Sequence, residues 1–244
     1  MNCLIVGASA GLGRALSEQA ARLGHNVLLV ASDSRDLAAM ATSLQLEHGV
    51  KARYVSCRFG SFPKEEAAVI SAAQEFGAVE LVLYPIGLAE ENDTGFLGES
   101  AVLRLLRVNF LSQVNLTTAL WPTLLKSKRA AVVGFGSIAA VRGRSRNVVY
   151  AAAKRALDSY FESLRHLAVG TNIRVHFYYL GYLDTQQTFG KALPLPRASP
   201  ERLAGFVLDH LDSNSGPVFY PWFWRLISQG LRCLPWFLYR RLKV

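Results

Sequence analysis

Three side chains able to handle a proton stand close together in the 244-residue chain. They are Ser137 and, in the alanine-rich run Tyr150-Ala151-Ala152-Ala153-Lys154, a tyrosine and a lysine four apart. Residues at that spacing share one face of a helix. A phenol titrates near about 10 and serves poorly as an acid or base at neutral pH unless its anion is favoured. A neighbouring ammonium would favour it, and lowering a phenol by ~3 units takes about 4 kcal/mol. Ser137 follows an apolar run, 130–135, that reads as buried strand, so its hydroxyl would hold a substrate oxygen. The set reads as general-acid machinery for a carbonyl or an alcohol. Tyrosine and lysine four apart also describe an exposed pair on any helix, so the elements around them must decide.

The first of those elements opens the chain. Residues 2–6 are apolar, Gly7-Ala8-Ser9-Ala10-Gly11-Leu12-Gly13 follows, and a helical pattern runs on through Leu23. A strand, a glycine turn and a helix start make an anion cradle of bare N–H groups and helix dipole. Glycine permits the tight turn and lets a diphosphate approach the backbone. Gly7, Ser9, Ala10, Gly11, Leu12 and Gly13 are therefore expected to hold a dinucleotide. The second strand, 26–31, lacks at its end the acid that would grip a ribose 2′-hydroxyl. Ser32 and Arg35 suit a 2′-phosphate there while Asp33 argues the other way, and NADP(H) is expected over NAD(H).

Helix 36–48, strand 52–57, helix 63–76 and strand 80–84 continue the alternation. The pattern predicts an α/β fold, a Rossmann-like doubly wound parallel sheet covered on both faces. It forms one domain over residues 1–220, with a helical tail at 221–244. Pro85 and Gly87 stop the fourth strand where a cofactor would pass, so Ile86 and Gly87 are candidate contacts. Helix 100–126 holds Asn109, either a surface residue or a local irregularity that exposes a carbonyl to a water chain, and Pro122 near its end. Arg142, Arg144 and Arg146 make the loop before Tyr150 either a solvated loop or a contact for a phosphate-bearing substrate. Strand 172–179 leads to Gly181 and Thr185, and residues 185–200 read as a mobile flap over the substrate. Helix 200–212 and strand 218–220 complete the sheet.

Composition narrows the classes. With 51% hydrophobic and 18% charged residues the chain is not disordered. A net charge of +9 suits phosphorylated substrates, anionic lipid or nucleic acid. No RNA-binding aromatic signature or basic stripe supports the last. Three scattered cysteines show no metal-ligand pairing and point to a reducing compartment and no metal. The first residues show no basic leader, and no run of 18 uncharged apolar residues exists, so no signal peptide or membrane span is expected and the location reads as cytoplasmic. The run from Pro221 to Lys243 carries three of the four tryptophans, arginines and a lysine, without an acid. It suits an interfacial helix pair at the inner face of a membrane, or a helix packed on a partner subunit.

With the glycine turn, Asn109, Ser137, Tyr150 and Lys154 in this order, the chain resembles the short-chain dehydrogenase/reductase family from Gly7 to Thr185. The resemblance implies Tyr150 as proton donor and Ser137 as the residue positioning the carbonyl. It implies Lys154 lowering the tyrosine pKa and binding the nicotinamide ribose, Asn109 supporting a proton relay, and Gly181 and Thr185 beside the nicotinamide amide. A homo-oligomer is implied as well. There are departures: Tyr84-Pro85-Ile86-Gly87 stands where the family has an Asn-Asn-Ala-Gly-like run, Arg58 replaces an adenine-binding aspartate, Leu180 replaces a proline, and Ala10 stands where NADP users carry arginine. Within the family, Ile86-Gly87-Leu88 with Glu90-Glu91, the arginine loop and the aromatic tail resemble the decaprenylphosphoryl-2-keto-erythro-pentose reductases of cell-wall arabinan synthesis. That implies a keto-sugar on a polyprenyl or lipid phosphate and a role in cell-envelope polysaccharide biosynthesis. A fatty-acyl or other hydrophobic ketone is the second expectation. A nucleotide-binding subunit without turnover, suggested by the altered run at Tyr84, is the third.

Overall fold

The computed structural model describes residues 1–59, 64–186, 188–190, 193–213 and 216–242. Pro63, expected to open a helix, and Lys243 of the tail lie outside them. Strands β1 (Asn2–Val6), β2 (Asn26–Ala31), β3 (Ala52–Ser56), β4 (Leu81–Tyr84), β5 (Ala130–Ser137), β6 (Ile173–Leu180) and β7 (Val218–Tyr220) make, among the described residues, one sheet in the order β3-β2-β1-β4-β5-β6-β7. Every pairing is parallel. This is the doubly wound Rossmann-like order, with the chain reversing its winding between β1 and β4.

Helices α1 (Gly11–Arg22), α2 (Ser34–His48) and α7 (Pro200–Asp209) lend their apolar sides to one core, with Cys3, Ile5, Leu29, Val133 and Leu203. Helices α3 (Lys64–Phe76), α5 (Ser112–Lys126) and α6 (Val148–Leu167) build the other, with Leu4, Val6, Val132, Leu157 and Phe161. Alternate residues of β1 thus face opposite cores, as the two-residue period of a strand requires. A central strand apolar on both faces follows.

Several boundaries differ from the sequence reading. Helix α2 begins two residues early because the Asp33 carboxylate accepts from Arg35 N and Asp36 N, capping it. Strand β5 extends to Ser137, which pairs with Leu180. The single helix expected over 100–126 is α4 (Glu99–Leu106), a π-helical segment at Arg107–Leu111, and then α5 with Pro122 inside it. The C-terminal run forms α8 (Trp224–Cys233) and the one-turn α9 (Trp236–Tyr239). Among the described residues no helix is long and apolar enough to cross a membrane.

Candidate active site

The loops leaving the C-terminal ends of β1 to β6 border one cleft of about 1320 Å³. It reaches from Arg35 and Arg58 at one end, past Gly7 and Gly11, to Tyr150 and Lys154 at the other. A crevice outside the strand ends, where the winding reverses, is the binding place of this architecture. Its floor explains the glycines. Gly7 has φ +98°, and a Cβ there would lie 2.7 Å from the Ile86 backbone. A Cβ on Gly13 would lie 1.8 Å from the Gly7 carbonyl oxygen. Helix α1 starts behind Ala10 with no side-chain cap and no acid in its first turn. Its N–H groups and dipole are therefore left facing the cleft, which Ser9, Ala10, Gly11 and Leu12 also line. This cradle fits the diphosphate of a dinucleotide.

At the far end, Ser32, Arg14, Arg35 and Arg58 line the cleft together. Asp33 lies among them. Its two capping bonds, followed by the charges of Arg35 and Arg58, hold its carboxyl below the usual range. Arg14 was missed by the sequence reading. It comes from the first turn of α1 and folds back so that Nε and Nη2 donate to the Ser9 carbonyl at 3.2 and 3.0 Å. A basic residue directly after the last glycine of the cluster was the available signal.

At the near end, Tyr150 and Lys154 project from α6. Tyr150 is half-buried as a residue and lines the cleft, with the Ser137 hydroxyl placed to stabilise its phenolate. Ser137 Oγ also accepts from Ala139 N at 3.1 Å, which fixes it at the end of β5. Lys154 is buried and donates from Nζ to the carbonyls of Phe135 and Ile86 at 3.0 and 3.3 Å. Burial lowers its ammonium from 10.5 to about 8.

The expected depression of the tyrosine pKa by Lys154 is corrected here. Burial pushes Tyr150 above the ordinary phenol value, and the opposing influences are the Ser137 hydrogen bond and the Arg144 charge. The ammonium meanwhile serves two backbone carbonyls.

Asn109 sits fully buried at the centre of the π-helical segment, so the surface alternative is excluded and the local irregularity is found. Its Oδ1 accepts from Leu88 N at 3.0 Å and its Nδ2 donates to the carbonyls of Leu88 and Leu105. Such bulges cluster at functional sites. The Asn109 carbonyl takes a bond from Gln113 Nε2 at 3.2 Å. Gly87 lies beside both partners: a Cβ there would be 3.6 Å from Asn109 Oδ1 and 3.8 Å from Lys154 Nζ. Thr185 packs against Gly11 across the turn, and Gly181 is glycine because a Cβ would strike the Trp224 indole at 1.8 Å.

The three loop arginines separate. Arg142, expected to bind substrate, instead donates to the carbonyls of Leu231 and Leu234 and lies over the Tyr239 ring. It is engaged with the C-terminal helices and does not line the cleft. Arg144 acts on the Tyr150 phenol by charge and donates to the Arg146 carbonyl, while Arg146 is exposed. Of the flap expected at 185–200, residues 187, 191 and 192 lie outside the described residues. Its base is fastened by the bridge between Leu183 and Ala198.

Residues 2–192 match the family described as short chain dehydrogenase. A hydroxysteroid 11-beta-dehydrogenase 1-like protein of Macaca fascicularis is 33% identical, over 99% of this chain and 87% of its own. A short-chain dehydrogenase from Sphingobium yanoikuyae in complex with NADPH superposes with TM-score 0.83 at 24% identity, over 96% of each chain. L-sorbose reductase from Gluconobacter frateurii, complexed with NADPH and L-sorbose, gives 0.80 at 23% identity, over 89% of this chain and 94% of its own.

Proposed function

The chain belongs to the short-chain dehydrogenase family, and on that premise we propose that it is an NADPH-dependent ketoreductase. The observation that carries this reading is a single cleft holding the glycine cradle at one end and Ser137, Tyr150 and Lys154 at the other. The nicotinamide, when bound, supplies hydride to a carbonyl carbon. Gly7, Ser9, Ala10, Gly11, Leu12 and Gly13 would hold the diphosphate, and Ser32, Arg35, Arg14 and Arg58 the 2′-phosphate. Ile86, Gly87, Lys154, Gly181 and Thr185 would hold the nicotinamide half.

Tyr150 delivers a proton to the developing alkoxide, a step worth about 10²–10⁴-fold. Its raised pKa keeps the proton on the phenol at neutral pH. The Ser137 bond and the Arg144 charge favour the phenolate left behind. Ser137 also holds the substrate oxygen. Lys154, at about 8, is charged at neutral pH and offers its ammonium beside Gly87. Asn109 holds the Leu88 backbone, supporting the cofactor loop and a proton relay.

The proposed substrate is a keto-sugar on a polyprenyl or lipid phosphate, reduced at the cytoplasmic face of a membrane in cell-envelope polysaccharide synthesis. Arg144, whose charge reaches the Tyr150 phenol although neither it nor Arg146 lines the cleft, supports an anionic substrate. Exposed Trp222, Leu226, Trp236 and Phe237, interleaved with exposed Arg225, Arg232, Arg240 and Arg241, support peripheral contact with anionic lipid through the tail. Exposed Leu103 and Leu111 on the α4 flank support a homo-oligomer. A second reading, a neutral hydrophobic ketone, is favoured by the hydroxysteroid-named relative and by the engagement of Arg142 elsewhere.

The test is purified protein with NADPH, keto-sugar phosphates and steroid ketones. Tyr150→Phe loses about 10²–10⁴-fold in kcat while still binding NADPH; undiminished turnover would refute the role. Arg144→Glu with Arg146→Glu raises KM for a phosphorylated ketone about tenfold or more. An unchanged KM, with steroid ketones turned over, selects the second reading.

A further inference from the structure

Helix α6 has no cap of its own. Its N-cap residue Asn147 adopts φ 52°, and its side chain makes no capping bond. The first N–H groups of a helix have no partner within it. Here a distant residue meets the first three. The carbonyl of Asp93 accepts from Val148 N at 3.4 Å, its Oδ1 from Val149 N at 3.1 Å, and its Oδ2 from Tyr150 N at 2.9 Å. Asp93 is 2% exposed, and Oδ1 takes a further bond from Gly95 N at 3.2 Å. A carboxylate at a helix N-terminus is also favoured by the helix dipole.

Asp93 comes from the loop after β4, the same loop that carries Ile86 and Gly87 along the cleft floor. The other end of that loop is tied by Leu88 to the Asn109 amide. One short segment therefore joins the buried π-helical asparagine to the backbone of the tyrosine. Gly95 fits the same purpose: its φ is +92°, and a Cβ would lie 3.1 Å from Val148 Cγ1.

We propose that Asp93 is the positioning residue for Tyr150, a remote cap that locks the cofactor-side loop to the start of α6 and so sets where the phenol points. This rests on the proton-donor role given to Tyr150, and the experiment separates the two. Asp93→Ala removes both acceptors. Asp93→Asn keeps one and serves as the conservative variant should Asp93→Ala not fold.

Amide hydrogen exchange reads the anchor without turnover. In Asp93→Ala both Val149 and Tyr150 exchange about tenfold or more faster, in Asp93→Asn at least one of the two does, and Leu157 in mid-helix is unchanged in both. Kinetics with NADPH and whichever ketone the wild type reduces read the consequence. Asp93→Ala lowers kcat by about 10²-fold with KM and NADPH affinity unchanged, the loss expected from a misplacement near 1 Å. Asp93→Asn falls between it and the wild type. Unchanged exchange at Val149 and Tyr150 overturns the anchor, whether or not any ketone is reduced. Faster exchange with an intact kcat overturns the positioning role. Faster exchange in a protein whose wild type reduces no ketone supports the anchor and counts against the reductase reading alone.

Discussion

The guanidinium of Arg142 lies over the ring of Tyr239, 4.0 Å from its centroid, while the Tyr239 hydroxyl donates to the Gly143 carbonyl at 2.7 Å. With the bonds from Arg142 to Leu231 and Leu234, this clasp fastens α8 and α9 to the loop that precedes Tyr150. Charge-assisted bonds and a cation–π contact of this kind are together worth about 2–4 kcal/mol. Arg142→Ala should therefore free the C-terminal helices. Limited proteolysis within residues 221–242 accelerates while NADPH binding stays as it was. Arg142→Lys falls between, because an ammonium cannot reproduce the planar fork. A rise in KM without faster cleavage would return Arg142 to the substrate.

Lys154 makes binding and stability depend on pH in opposite ways. Its ammonium is lowered from 10.5 to about 8 by burial. Between those values the unfolded chain carries a proton that the folded chain lacks, so this group adds stability as pH rises through the window, and its burial cost is fully present below about 8. NADPH affinity moves the other way if the charged ammonium is what the cofactor meets, weakening above pH 8 by at most about tenfold per unit. Fluorescence titrations from pH 6 to 10 should show that fall in the wild type and none in Lys154→Met.

The glycine turn gives a steric contrast. A Cβ on Gly13 meets the Gly7 carbonyl, whereas one on Gly205 in α7 meets nothing within 4 Å. Gly13→Ala should destabilise by about 3 kcal/mol and abolish dinucleotide binding. Gly205→Ala should stabilise by about 0.5–1 kcal/mol. Thermal melts of the two variants check both signs.

Cofactor choice is predicted by the arginines that follow β2 and β3. Arg35→Glu and Arg58→Glu should each raise the NADPH Kd about tenfold, near 1.4 kcal/mol, and leave NADH unchanged. Equal weakening toward both cofactors would assign those arginines to something other than a 2′-phosphate.

Much of this was legible from near neighbours in the chain. The bounds of β1 and β2 matched their apolar runs, because a strand buried on both faces needs unbroken apolar residues. The glycine turn announced the cleft, because only glycine tolerates the approach of Ile86 to Gly7. The spacing of Tyr150 and Lys154 put both on the face of α6 toward the cleft. What misled was read as local and proved long-range. Arg142 looked like a substrate ligand because its loop is basic, yet its partners at Leu231 and Leu234 lie 89 and 92 residues away.

The amino-acid sequence alone therefore determined the alternation of strands and helices and the glycine turn on the cleft floor, since periodicity and steric permission belong to short stretches of chain. Tertiary structure decided the rest: that Asn109 is buried in a π-helical turn, that Asp93 reaches the Tyr150 backbone 57 residues on to cap its helix, and that burial raises Tyr150 despite its lysine neighbour. Desolvation and long-range hydrogen bonds arise only when distant segments exclude water together, and no local pattern encodes that.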